Sequence, residues 1–160
     1  MMAESEGPAG ALPDGAQADG GDAAADEVVA FWETARAHAK IGRLPVVTGV
    51  GVTAAVPPPA WSFGDNPALA DELLALVLAG EKTATTTSVA ELEAAGEPIP
   101  QVGELSILLD GAGHPRALIR TTEVRRARFG DVDEEYAARE GEDDRTLTSW
   151  RREHAKYFRR

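Results

Sequence analysis

The stretch ELSILLDGAGHPRALIRTTEV, residues 104–124, limits the fold more than any other part of this chain. Leu105, Ile107 and Leu109 recur at the two-residue period of a half-buried strand, Asp-Gly-Ala-Gly supplies a turn, and Ala117 to Val124 returns along the first run. An antiparallel hairpin needs an apolar cover, and helical patterns stand before and after it. NPALADELLALVLAG starts with Asn66 as N-cap and Pro67 at the first helical position, carries Leu69, Leu73, Leu76 and Val77 on one face, and ends at Gly80. DEVVAFWETARAHAK places Val28, Phe31, Trp32, Ala35 and Ala39 at helical spacing behind Asp26 as candidate cap. Asp133–Glu140, closed by Gly141, and Leu147–Phe158 predict two more helices, the second with Leu147, Trp150, His154, Tyr157 and Phe158 on one stripe. Strands and helices in separate runs predict an α+β domain, a small antiparallel sheet or barrel covered by helices.

The connecting segments are less regular. RLPVVTGVGVTAAVPPP, residues 43–59, reads as a loop with at most a short edge strand. The β-branched run from Thr83 to Val89 favours a strand. Residues 1–25 are Ala, Gly, Asp and Pro with little to bury, which predicts a disordered acidic tail ahead of one domain spanning 26–160.

Charge matters to the choice of partner. The chain carries −11 in all, but residues 1–27 hold seven acids and no base, leaving only −4 for the rest. Arg116, Arg120, Arg125, Arg126 and Arg128 form one basic group and Arg151, Arg152, Lys156, Arg159 and Arg160 another. A local anion site is compatible with this distribution; a surface that wraps a duplex is not. The absence of cysteine removes disulfides, thiolate metal sites and a thiol nucleophile, and fits a cytoplasmic location. With no signal-peptide pattern and no apolar run long enough for a bilayer, the expectation is a soluble protein with no membrane partner. Nothing in the patterning specifies an oligomeric state.

Two short stretches carry candidate chemistry. GEKTATTTS sets Lys82 against Thr83, Thr85, Thr86, Thr87 and Ser88 at a helix exit. Lys82 can satisfy the last helical carbonyls, or it can serve as a base. An extended chain sends Lys82, Ala84, Thr86 and Ser88 to one side and Thr83, Thr85 and Thr87 to the other, whereas a tight first turn brings Lys82 to Thr85. The second geometry makes a catalytic pair in which neutral Lys82 takes the Thr85 proton. Bringing a lysine near neutrality costs about 4 kcal/mol, which burial can supply. In REGEDDRTL, Glu140 falls in a last helical turn, where the dipole disfavours a carboxylate, so it is either an ordinary exposed glutamate or a proton carrier with a raised pKa. Glu142, Asp143 and Asp144 precede the next helix, where a capping and solvating role is expected. Trp61 and Phe63 pack a core or stack on a nucleobase; Arg120 and Thr122 share a strand face that lines a polar pocket or meets solvent. His38, His114 and His154 show no ligand spacing, and His154 on an apolar stripe reads as core packing.

FGDNPALADELLALVLAGEKTAT, GELSILLDGAGHPRALIRTTEV and YAAREGEDDRTLTSWRREHAKYF, in this order, resemble the ASCH domain family, from the branch with a long N-terminal lead-in. The similarity runs from about Phe31 to Phe158. It implies a PUA-like β-barrel flanked by helices, and a pocket suited to a nucleoside or single-stranded RNA, without metal or other cofactor. The family pattern Gly-x-Lys-x-x-Thr-x-Arg falls on Gly80, Lys82 and Thr85, with Thr87 in place of the arginine. Similarity to the family's amidohydrolase of N(4)-acetylcytidine implies catalytic roles for Lys82, Thr85 and Glu140. Trp61, Phe63, Thr83, Arg120 and Thr122 are the substrate-binding candidates from the residues themselves. The resemblance also implies one more barrel strand than this chain supplies after Arg160. A non-catalytic RNA-binding module, a ribonuclease and a defective paralogue are the alternatives.

Overall fold

A computed structural model describes residues 19–39 and 56–159. Helix α1 is Asp19–His38, β1 Ala60–Trp61, α2 Pro67–Leu78, α3 Val89–Ala95, β2 Leu105–Leu109, β3 Pro115–Arg120, α4 Glu134–Glu140 and α5 Leu147–Tyr157, with a 3-10 turn at Phe129–Asp131. The α+β class predicted from the sequence holds. The described strands form a three-stranded sheet in the order β1-β2-β3. It is open, so the described strands do not close the expected barrel.

The hairpin forms in the predicted place, but β2 is covered on both faces: Ile107 and Leu108 are both fully buried, and it is Leu108, not the predicted face of Leu105, Ile107 and Leu109, that meets α2. Leu105 faces Arg120, Ile107 faces Leu118 and Leu108 faces Ala117, with an irregularity between Leu108 and Leu109. Asp110 closes the turn by accepting from the Ala112 and His114 amides at 3.0 and 2.9 Å and from Arg116 Nε at 2.7 Å. The returning strand ends sooner than Val124. Its last ladder bonds join Thr121 to Glu104 and Gly103, and at Gly103 the chain takes a φ of 96°, carrying the partner segment away. β1 adds in parallel on the other edge of β2, with Ala60 opposite Ile107, in a place where no strand was predicted.

Helix α2 starts as expected: the Asn66 side chain accepts from the Leu69 amide at 3.0 Å, with Pro67 at the first turn. Its apolar face meets the sheet in a core of Phe63, Leu73, Leu74 and Leu108, edged by Trp61, Leu69 and Ile119. A second core of Val132, Ala137 and Trp150 joins α4 to α5. α1 begins at Asp19, well before the predicted cap at Asp26. Ala23, Ala24 and Ala25 are strong helix formers, and acids in the opening turns suit the positive end of the dipole, so residues 19–25 are helical where a tail was expected. The rest of that predicted tail, and the loop predicted at residues 43–55, lie outside the described residues.

A further correction concerns Thr83–Val89. The side chains do alternate, with Lys82 buried, Ala84, Thr86 and Ser88 half-buried, and Thr83, Thr85 and Thr87 exposed. The segment nevertheless joins no sheet. Its first amides, Thr83 and Ala84, both donate to the Arg139 carbonyl, at 2.7 and 3.0 Å. It ends where Ser88 caps α3 in a reciprocal capping box with Glu91. That Ser-x-x-Glu spacing, followed by Gly96 in the left-handed region, outweighs the β preference of the threonines.

The exits of α2 and α4 meet backbone to backbone. Gly141, at φ 72°, leaves so little room that a Cβ there would lie 2.6 Å from the Glu81 carbonyl oxygen and 2.9 Å from the Lys82 amide nitrogen. Gly80 has a similar φ of 76° but open space around it. Gly141→Ala is therefore expected to destabilise by about 1–3 kcal/mol more than Gly80→Ala. Denaturant unfolding of both variants checks this; equal losses would contradict the close approach.

Candidate functional site

Lys82 is placed by the way α2 ends. After Gly80 the amides of Glu81 and Lys82 both turn back to the Leu76 carbonyl, at 2.9 and 3.1 Å. The side chain then passes inward, and the residue is only 4 % exposed. Its Nζ lies 5.5 Å from the centroid of the Phe63 ring, whose face favours a cation. Three acceptors surround the amine: the Glu140 carbonyl at 3.3 Å, Glu140 Oε2 at 3.4 Å and Glu142 Oε1 at 2.5 Å. An ammonium has three N–H bonds to give and no acceptor, so this set suits the charged form.

Glu140, 1 % exposed, is the hub. Oε1 accepts from Thr86 Oγ1 in a short hydrogen bond and from Trp150 Nε1 at 2.8 Å. Oε2 faces Lys82 and, at 3.6 Å, His154 Nε2. Burial by itself would raise the pKa of this carboxyl. The contact with His154, the Lys82 charge and the hydrogen bonds from Thr86 and Trp150 outweigh burial and bring it down to about 2. The raised pKa expected from the sequence is thereby corrected: the dipole at the end of α4 is offset by Lys82, the His154 contact and two neutral donors.

The structure brings Lys82 and Glu140 together, but it does not bring Thr85 to them. Thr85 is exposed, and it is its carbonyl oxygen that is engaged, accepting from Tyr136 Oη at 2.8 Å. Extended alternation puts Thr86 on the Lys82 side instead, 3.2 Å from the same Tyr136 hydroxyl. The tight turn that would pair Lys82 with Thr85 does not occur, because the Thr83 and Ala84 amides are held on Arg139. Thr83 is exposed, its hydroxyl 3.4 Å from that carbonyl. Phe63 belongs to the core and Trp61 packs edge-on against it at 4.9 Å. Arg120 and Thr122 are exposed at and beyond the end of β3, and no described hydrogen bond or ion pair links them to Lys82 or Glu140.

Four participants escaped the sequence reading. Thr86 was visible only as the alternative to Thr85. Trp150 and His154 lie on the predicted apolar stripe, and their polar atoms are used as well: His154 stacks on Trp150 at 4.2 Å while its Nδ1 faces the Trp150 carbonyl at 3.0 Å. Glu142, expected to be solvated, turns inward to Lys82, whereas Asp144 does bond the Thr146 amide just ahead of α5. Beside this network, Leu69, Leu73, Leu76 and Trp150 line a cleft of about 180 Å³ between α2 and α5, with Glu142 and His154 as the wall shared with the network. This is smaller than the roughly 300 Å³ at which most small-molecule pockets begin.

Because the folded-state pKa of Glu140 is depressed from 4.5 to about 2, its contribution is present in full above pH 4.5 and disappears as the pH falls towards 2. The shift corresponds to about 3 kcal/mol. Glu140→Gln leaves Lys82 and His154 facing a neutral amide, and its expected cost near neutrality is about 3–5 kcal/mol. Unfolding of wild type and variant should show that gap narrowing below pH 4.5; a constant gap would contradict the ionised, buried state.

Among the described residues no helix is long and apolar enough to cross a membrane. Comparison with the curated proteins gives no match. The crystal structure of a protein from Enterococcus faecalis V583 is similar, with TM-score 0.68 and 33 % identity over 83 % of this chain and 73 % of that one. An ASCH domain from Lactobacillus crispatus JV V101 also matches, with TM-score 0.68 and 27 % identity over 83 % of this chain and 79 % of its own. The family model described as the ASCH domain matches residues 59–160, a span that includes Lys82, Glu140 and all their partners. The chain belongs to the ASCH domain family.

Proposed function

We propose that this ASCH domain is a metal-independent amidohydrolase that removes an acyl group from the exocyclic nitrogen of a cytidine-like nucleoside. The observation that carries the reading is the meeting of Lys82 and half-buried Thr86, from the segment after α2, with buried Glu140 from the end of α4 in one network. Ionised groups are expensive to bury, and clusters of them with perturbed titration concentrate at functional sites. The reading takes the open sheet as the described part of a PUA-like barrel.

The roles differ from those implied by the motif. Thr86, already bonded to Glu140, supplies the hydroxyl. Its oxygen attacks the acyl carbon while its proton passes to the Glu140 carboxylate. The carbon–nitrogen bond then breaks, and Glu140 returns that proton to the departing exocyclic nitrogen. Water splits the acyl-threonine ester, releasing a carboxylic acid and restoring the hydroxyl. Lys82 acts as a fixed positive charge for the oxyanion. Glu142 is its removable partner, because that side chain is 33 % exposed while those of Lys82 and Glu140 are 2 % exposed. An incoming acyl oxygen can displace it.

Purified protein incubated with N(4)-acetylcytidine should release cytidine. Thr86→Val, which keeps the shape and removes the hydroxyl, should lower kcat by about 10²-fold or more. Thr85→Val should stay within a few fold. The reverse pattern would return the nucleophile to Thr85, and equal, slow release by wild type and Lys82→Ala would refute hydrolysis.

A second reading, binding of single-stranded RNA, draws on a different surface. Arg126 and Arg128 are exposed, form no ion pair among the described residues, and lead into Phe129, itself 41 % exposed. Lys82 is engaged by carboxylates and is not a phosphate contact in this reading. Its signature is affinity that falls steeply with salt and weakens with Arg126→Ala and Arg128→Ala, with no product formed. Salt-independent affinity, or affinity untouched by both substitutions, would exclude it.

A further inference from the structure

The amidohydrolase reading leaves Glu140 with a difficulty, because a carboxylate held near two cations is a poor base. His154 is the cation that the proposed chemistry does not use. Its ring is fixed on both sides, stacked on Trp150 at 4.2 Å and tilted against Phe158 at 5.8 Å. Both nitrogens face acceptors, Nδ1 the Trp150 carbonyl at 3.0 Å and Nε2 the Glu140 carboxylate at 3.6 Å. An imidazole that meets acceptors at both nitrogens is best satisfied as imidazolium. The residue also lines the cleft between α2 and α5, and its side chain is 13 % exposed against 2 % for Glu140.

We infer that His154 is a positioning residue that sets how strong a base Glu140 is, carrying solvent pH to a carboxylate that solvent itself does not reach. With His154 protonated, Glu140 Oε2 faces two cations, Lys82 and His154. When His154 gives its proton to water in the cleft, one cation remains, and Glu140 accepts the hydroxyl proton of Thr86 more readily. The other charged groups around the ring are Glu142, on the loop after α4, and Glu72, Asp143 and Glu153, which line the same cleft. Asp143 and Glu153 are paired with Arg152, and Glu153 with Lys156 as well, while Lys82 shares Glu140, so Glu140, Glu142 and Glu72 are the acids left to favour the protonated ring. Desolvation lowers the His154 pKa, yet the contact with Glu140, the Glu140 charge, the Trp150 carbonyl and Glu142 together leave it above its ordinary value of 6.5.

Activity should then rise along a limb that belongs to His154. In wild type, kcat/KM for N(4)-acetylcytidine is expected to step up from a lower to a higher plateau through a midpoint above 6.5. His154→Gln keeps an N–H donor for Glu140 without the titrating charge. It should retain KM and lose that limb; persistence of the limb in a folded variant would overturn the inference. This arm rests on the amidohydrolase reading, so a second arm does not use activity. Following the His154 imidazole resonances of the whole chain by NMR should give a midpoint above 6.5 in wild type, shifted downwards in Glu140→Gln. A wild-type midpoint below 6.5 would overturn the coupling whether or not the protein hydrolyses anything. Absence of hydrolysis with a raised, Glu140-dependent midpoint would instead refute the catalytic reading and leave the coupling standing.

Discussion

Everything around the candidate site depends on the ion pair between Lys82 and Glu140, because neither charge can be buried without the other. Each lies just at the exit of its own helix, one past α2 and one in the last turn of α4. The two exits must therefore touch. Gly141 permits the contact, and the Arg139 carbonyl takes two amides of the segment that follows Lys82. Backbone and charge thus specify the same junction. The negative ends of both helix dipoles also converge there, which favours the ammonium and makes the Glu140 carboxylate depend on its donors.

That dependence explains how the outer residues are used. Trp150 and His154 complete an apolar surface on α5, Trp150 also donates its indole N–H to Glu140 and the His154 ring nitrogen lies 3.6 Å from the same carboxylate, so the second core and the polar network are one structure. Thr86 adds a hydroxyl from the extended segment. Lys82, joined by His154 when it is protonated, stands against two carboxylates, Glu140 and Glu142, and this balance offsets the cost of burying Lys82 and Glu140. Such an arrangement can stabilise charge that develops on a ligand, provided a ligand atom replaces the most exposed member.

The sequence made the elements with strong local signals legible. The cap at Asn66, the stop at Gly141 and the turn of the hairpin appear where pattern places them, and the helix expected from Asp133 starts one residue later with Asp133 as its cap. Lys82 and Glu140 could be singled out because one follows a helix stop and the other opposes its own dipole. What could not be read was decided by long-range contact. The extended run after Lys82 has strand propensity, yet its amides are taken by α4, over fifty residues away, and the choice between Thr85 and Thr86 follows from that. Likewise, a histidine on an apolar stripe gives no sign that its ring nitrogen meets a carboxylate from another helix. Among the described elements, β1, two residues long, and the 3-10 turn at Phe129–Asp131 had no local signal.

The account stands or falls on the state of one carboxyl group. A pH titration of the Glu140 side-chain carboxyl carbon by NMR, in the intact protein, reads it directly. The account predicts that the group stays ionised well below its ordinary value of 4.5, with a midpoint near 2 or no midpoint before the fold is lost. A midpoint at or above 4.5 would contradict it, since Glu140 would then be neutral in the acid range where its two cations should hold it charged.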